Sequence, residues 1–341
     1  MTQFELQFYI LITFLSYMFL LLVFHSKLRK LAFIPAVLFV ICSLLLRLYV
    51  PIEKNADYGG YANFMFEEYH FQWKAIFSEP YFPLILNTLF KYTQDWKESL
   101  NGMYLINFVF SLIFYIWLAY RKNIKYWIKL IFFVFSYTLL TYTVLRNSPA
   151  YFLFGFLAYY LLLGKKFWAG YLGFLTHASA LPALAATFLG FGKPTYKQFL
   201  LILLGALVFS SLLSLPYFSH ITNRLDTYTD TNVADKYGVS IFHKLYLVMI
   251  IGLTLLIYKY KKTAVYNNFY CAIFLIYLIL YFLNPVMAFR FSYYIIIYIV
   301  IYPFYGKLKY DKILNMVFSI VLGFVFYNIF FGSHFDLTLL K

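Results

Sequence analysis

The chain has 341 residues, 63% of them hydrophobic and only 12% charged. Soluble domains carry about 25% charged residues, so the composition excludes a soluble globular fold and points to an all-α, polytopic membrane protein. The net charge of +15 lies in short clusters between apolar spans, the pattern of topology-setting loops, which excludes a nucleic-acid-binding surface.

Apolar runs over residues 6–24, 31–49, 102–120, 127–145, 148–163, 198–215, 244–258, 267–284, 291–305 and 313–331 predict membrane helices. Two further apolar stretches, 80–92 and 167–190, are ambiguous. Together these give about 10–12 transmembrane elements, one per run of about 20 apolar residues. The basic clusters are Lys27/Arg29/Lys30, Arg121/Lys122/Lys125/Lys129, Lys165/Lys166, Lys193/Lys197, Lys259/Lys261/Lys262 and Lys307/Lys309/Lys312. Placing them all in the cytoplasm puts the N-terminus outside.

That orientation has two consequences. Segment 80–92 cannot cross completely, so 51–101 is an external region with a short interfacial helix. Segment 167–190 starts and ends inside, so it forms a re-entrant pair turning near Thr176–Ser179. The outer face then carries Arg47, region 51–101, Arg146, His177, the loop 216–243 and Pro285–Arg290. No internal repeat is visible, and residues 1–341 read as a single membrane domain. Cys42 and Cys271 lie inside apolar runs and read as small buried hydrophobes. The N-terminus has no basic leader region, and Glu5 precedes the first apolar run, so no cleavable signal is expected. The 36 tyrosines suit a wet cavity lined by ring faces and hydroxyls.

Five ionisable residues interrupt apolar sequence: Asp57, Glu79, Arg146, His177 and Arg290. Each costs about 2.5–3.5 kcal/mol at a helix centre on insertion scales, and all five fall on the outer face in this topology. In a helix, Asp57 and Tyr61 share a face, and a carboxylate near tyrosine hydroxyls suits sugar binding or proton acceptance. The spacing alone favours a solvated turn at Gly59-Gly60. Glu79-Pro80 suits a helix start, where the dipole favours a carboxylate; the functional alternative is a second carboxylate aimed into a cavity. Arg146 either snorkels to headgroups or grips phosphate with its planar guanidinium.

His177 marks the tip of the expected re-entrant pair, where it serves either as a structural group or as a base or donor to phosphate. Arg290, flanked by long apolar sequence, suits a diphosphate together with Arg146, or a structural pair with Asp57 or Glu79. The loop 216–243 bears Arg224, Asp226, Asp230 and Asp235 and reads mainly as solvated surface. A Walker A sequence, an HExxH motif, a clustered Cys/His site and a GxSxG elbow are all missing.

In chain order, several motifs resemble the EpsG-like branch of the Wzy-type polysaccharide polymerases: Asp57-Tyr58 with Tyr61; Glu79-Pro80-Tyr81-Phe82; Leu145-Arg146 before Ala150; Thr176-His177-Ala178-Ser179-Ala180-Leu181; and Arg290 with Tyr293 or Tyr294. The resemblance runs from about residue 47 to 300, and Pro149, soon after Arg146, departs from it. It implies a GT-C-like membrane glycosyltransferase of the bacterial cytoplasmic membrane, with its active site facing outward. Such an enzyme joins repeat units carried on undecaprenyl diphosphate, which leaves. Donor and acceptor glycan lipids, membrane lipids and a chain-length regulator protein are the implied partners; no nucleotide sugar, cofactor or metal is implied. Fitted to that chemistry, Arg146 and Arg290 bind the diphosphate, while His177, Asp57 or Glu79 handles the proton. Tyr58, Tyr61 and Tyr293 contact sugars. The rival readings are a lipid-linked oligosaccharide flippase, which usually shows repeats, or another polyprenyl-phosphate sugar transferase, ligase or acyltransferase.

Overall fold

The computed structural model describes residues 3–54, 58–62, 79–198, 200–202, 204–205, 241–283, 285–303, 312–313, 316 and 320. Among them every regular element is helical. Asp57, the expected loop 216–243 up to residue 240, and most of the runs 198–215 and 313–331 lie outside the described residues.

The helices follow the apolar runs: α1 (Gln3–His25), α2 (Phe33–Tyr49), α3 (Tyr58–Ala62), α4 (Tyr81–Thr93), α5 (Trp96–Ala119), α6 (Tyr126–Thr138) and α7 (Ser148–Leu162). After them come α8 (Gly173–Thr176), α9 (Ala180–Ala186), α10 (Ile241–Tyr260), α11 (Lys262–Val265), α12 (Asn268–Leu283) and α13 (Pro285–Ile301). Among the described residues three helical stretches are long and apolar enough to cross a membrane: Phe4–His25, Arg29–Tyr49 and Trp96–Ala119. The first, at 22 residues, spans about 33 Å at 1.5 Å per residue, which matches a bilayer core of about 30 Å. Other apolar helices are shorter, Ser148–Leu162, Asn268–Phe282 and Met287–Ile301 among them.

The chain divides into two compact units. One comprises Met1–His70, Tyr81–Phe152 and Pro303–Lys341, the other Phe71–Pro80 and Leu153–Tyr302.

The first unit is knit by tyrosines. On α1 the buried Tyr17 stacks on Phe133 of α6 at 3.9 Å and meets Phe39 of α2 at 5.2 Å. The Tyr17 hydroxyl has no hydrogen-bond partner among the described residues, but other buried rings tie theirs across helices. The Tyr115 hydroxyl meets Ser136 Oγ at 2.7 Å, and Tyr137 donates to Ser43 Oγ at 2.7 Å. Tyr142 donates to the Ser43 carbonyl at 3.2 Å. These three tyrosines are interior packing tied by their hydroxyls. The outer faces of α1 and α2 stay apolar: Phe4, Phe19, Leu44 and Leu48 are all exposed. Helices apolar all round suit lipid contact.

Two helix ends show why these segments stop where they do. Asp95 opens α5, its side chain accepting from the Glu98 N–H at 2.9 Å, a standard N-cap. At the other end Lys129 is fully buried and donates to the carbonyls of Ala119 at 2.8 Å and Arg121 at 2.6 Å. A cation there answers both the orphan carbonyls and the negative end of the helix dipole. Lys129, counted by sequence within a loop cluster, is a structural cap. Lys97 at the start of α5 pairs with Glu53 and holds that carboxyl below its usual range.

In the second unit, the Asn268 N–H donates to the Gly192 carbonyl at 2.9 Å and Phe269 to Gly190 at 3.1 Å, anchoring the start of α12. Gly190 has a φ of 73°, a left-handed conformation that glycine adopts without strain. Asn267 Nδ2 donates to the buried Tyr298 hydroxyl at 2.9 Å, tying α12 to α13. Segment 167–190 is broken as its sequence suggested. A 3-10 turn (Trp168–Leu172) runs into α8; the backbone is extended at His177 (φ −158°, ψ 132°); helix resumes with α9.

Gly170 is buried against α7: a Cβ there would strike Leu157 Cβ and come within 3.0 Å of the Leu153 carbonyl. Gly170→Ala is expected to destabilise the protein by about 1–3 kcal/mol, the usual cost of overpacking against backbone. Gly252→Ala, with open space around it, is the control. Thermal unfolding in detergent checks this, and equal melting of the two variants would contradict the packing.

Candidate functional site

The second unit brings Glu79 and His177 together from 98 positions apart in sequence. Glu79 is 5% exposed and has a φ of 60°. A left-handed non-glycine residue stores strain, and such residues cluster at functional sites. Pro80 and the start of α4 follow directly. The carboxylate reaches the helix break at 177–179. Its Oε1 accepts the Ala178 N–H at 3.1 Å and lies 3.4 Å from His177 Nε2. The helix break at 177–179 is what frees that N–H to reach a side chain.

The other edge of the imidazole is held as well. Nδ1 accepts the Ser179 N–H at 3.1 Å, with Ser179 Oγ at 2.7 Å. A ring nitrogen that accepts a backbone N–H carries no proton of its own, so the neutral imidazole bears its hydrogen on Nε2, directed at Glu79. Ser179 Oγ in turn lies 3.2 Å from the Tyr294 hydroxyl. Tyr294 is fully buried and set edge-on to Phe154 at 5.1 Å. The groups form one polarised chain from the Tyr294 hydroxyl through Ser179 and the His177 ring to Glu79. Such a chain can accept a proton at the imidazole or carboxylate and reorganise little in doing so.

Arg290, half-buried, lies one turn before Tyr294 on α13 and shares its face. Tyr293 packs elsewhere, edge-on to Phe289 at 5.7 Å and near Tyr246 at 6.5 Å. The sequence reading left Tyr293 and Tyr294 level; Ser179 and Tyr294 together close the chain. Ser179 was visible only as part of a motif, and no local pattern marks its contact with α13.

The remaining candidates belong to the first unit. Tyr61 is 7% exposed and packs against Phe82 at 5.2 Å and Tyr104 at 6.3 Å; its hydroxyl accepts the Leu145 N–H at 3.0 Å. Tyr58 is half-buried against the same cluster. Tyr61 therefore anchors the peptide directly before Arg146, which is half-buried. Pro149 falls in the first turn of α7, where proline fits without a lost hydrogen bond. It is compatible with helix at the point where the sequence departed from the family pattern.

Residues 36–338 match the model of the EpsG family. No curated protein and no solved structure matches the chain.

The tautomer is open to direct test. Nitrogen-15 NMR of the histidine-labelled full chain, with His177→Gln for assignment, is expected to show the His177 proton on Nε2. A proton on Nδ1 would contradict the Ser179 N–H contact.

Proposed function

The chain belongs to the EpsG family, and from that premise we propose that it is a membrane glycosyltransferase that polymerises bacterial surface polysaccharide. The observation that carries the reading is the chain that links buried Glu79 and Tyr294 through half-buried His177 and Ser179, built on a strained residue beside a break in apolar helix. The left-handed backbone of Glu79 (φ 60°) and its burial at 5% exposure beside His177 support the reading.

In the proposed reaction, donor and acceptor are both oligosaccharide repeat units on undecaprenyl diphosphate, at the periplasmic or external face. The acceptor hydroxyl oxygen attacks the anomeric carbon of the donor. The bond from that carbon to the diphosphate oxygen breaks, and undecaprenyl diphosphate leaves with the bonding electrons. The acceptor proton passes to His177 or Glu79, whose coupling lets the pair act as one base. Arg290 and Arg146 bind diphosphate oxygens and stabilise the charge that develops on the leaving group. Because the donor is already activated as a diphosphate ester, neither nucleotide nor metal is needed. Asp57 remains a rival proton acceptor, Tyr58, Tyr61 and Tyr293 remain sugar contacts in this proposal, and a chain-length regulator is a partner.

Purified protein given only synthetic lipid-linked repeat units is expected to produce a ladder of longer glycans on gels. Arg290→Ala, Arg146→Ala and His177→Ala are each expected to lower that activity by about 100-fold or more, as for loss of a charge-stabilising or acid–base group, while still inserting into membranes. Movement of the lipid across vesicles without extension would favour a flippase instead.

A further inference from the structure

Arg47 is a buried cation that neither the helix packing nor the Glu79 cluster explains. It sits in the last turn of α2 and is 4% exposed. Its guanidinium lies 5.0 Å from the centroid of the Tyr104 ring. The Tyr142 hydroxyl, bonded to the Ser43 carbonyl one turn earlier on α2, is the other polar group nearby. Among the described residues no carboxylate or carbonyl pairs with it.

Arginine keeps its proton in proteins, and a ring face offsets only part of the desolvation of a buried charge. The same unit shows how a buried cation is satisfied from within: Lys129 donates to two backbone carbonyls. The negative end of the α2 dipole favours a cation at position 47 but supplies no hydrogen bond to it. The partner it lacks among the described residues is an acceptor with negative charge.

We infer that Arg47 is the protein half of a phosphate-binding site in the first unit, completed by the phosphate of a lipid. Three features fit that ligand. The planar guanidinium pairs bidentately with phosphate oxygens. Leu44, Leu48 and Tyr49, within one turn of Arg47, are exposed apolar groups along which a lipid chain can lie. Tyr61 meets Tyr104 edge-on at 6.3 Å and holds the Leu145 N–H, so the tyrosine cluster under Arg47 also anchors the backbone next to Arg146. The phosphate comes either from a bulk anionic headgroup or from a polyprenyl diphosphate. Only the second source rests on the polymerase reading.

The test uses the full chain in a maltoside detergent, which contains no phosphate. It is titrated separately with phosphatidylglycerol, undecaprenyl diphosphate and undecaprenol, with thermal unfolding and native mass spectrometry as readouts. A phosphate-bearing lipid is expected to bind and stabilise the wild type, and undecaprenol is not. Arg47→Gln is expected to weaken that binding about tenfold or more, the loss of one charge-assisted contact. Arg47→Lys keeps the charge over Tyr104 but loses the planar geometry; it is expected to bind several-fold less well and decides the matter if the glutamine variant misfolds. Arg47-dependent binding of phosphatidylglycerol alone identifies a headgroup site and leaves the polymerase substrate unsupported there. Arg47-dependent preference for undecaprenyl diphosphate identifies the substrate. Binding unchanged in both variants, or no preference of the wild type for phosphate over undecaprenol, overturns the inference. Glycan extension that persists alongside unchanged binding would leave the polymerase reading intact and remove this one.

Discussion

A carboxylate held at 5% exposure must find donors or lose its charge, and Glu79 finds a donor at the break at His177–Ser179. Burying an ion costs several kcal/mol unless hydrogen bonds and an opposite charge or dipole meet it. An unbroken helix from 173 to 186 would have used the Ala178 N–H internally and left Glu79 without it. The break, the strained backbone at Glu79 and the fixed tautomer of His177 are therefore one arrangement. Each is unfavourable alone, and each is compensated by the other two. Tyr294 and Ser179 extend it to α13, where Arg290 shares the face of Tyr294.

The first unit solves a different problem with a similar economy. Its helices are apolar on nearly all faces, so their mutual register cannot come from hydrophobicity alone. Tyrosines supply it. Tyr137 and Tyr142 both reach Ser43 across helices, and Tyr61 reaches the backbone at Leu145. Hydrogen bonds of this kind specify one arrangement because the unsatisfied alternatives are costly in an apolar setting. Against that background Arg47 stands out, since Lys129 in the same unit is capped by carbonyls whereas Arg47 faces ring carbon.

The helical elements were legible because long apolar runs bounded by basic clusters leave little choice of secondary structure. α1 and α2 fall within a few residues of the expected limits, α5 begins six residues earlier than its apolar run, and the break at His177 was marked by Thr-His-Ala-Ser between two short apolar halves. Contacts between distant segments were not legible. Nothing in the local pattern says that Glu79 meets the Ala178 N–H, that Tyr294 reaches Ser179, or that Lys129 turns inward to the Ala119 carbonyl. Periodicity reports which face is apolar; it does not report which hydroxyl meets which acceptor.

The central claim is that Glu79 and His177 act as one proton-handling unit. A double-mutant cycle in the glycan-extension reaction, with Glu79→Gln, His177→Gln and the pair, measures that coupling most directly. The account expects the double variant to be about as slow as the slower single variant, because either change alone disables the shared function. Losses that multiply independently would contradict it and separate the two residues into unrelated roles.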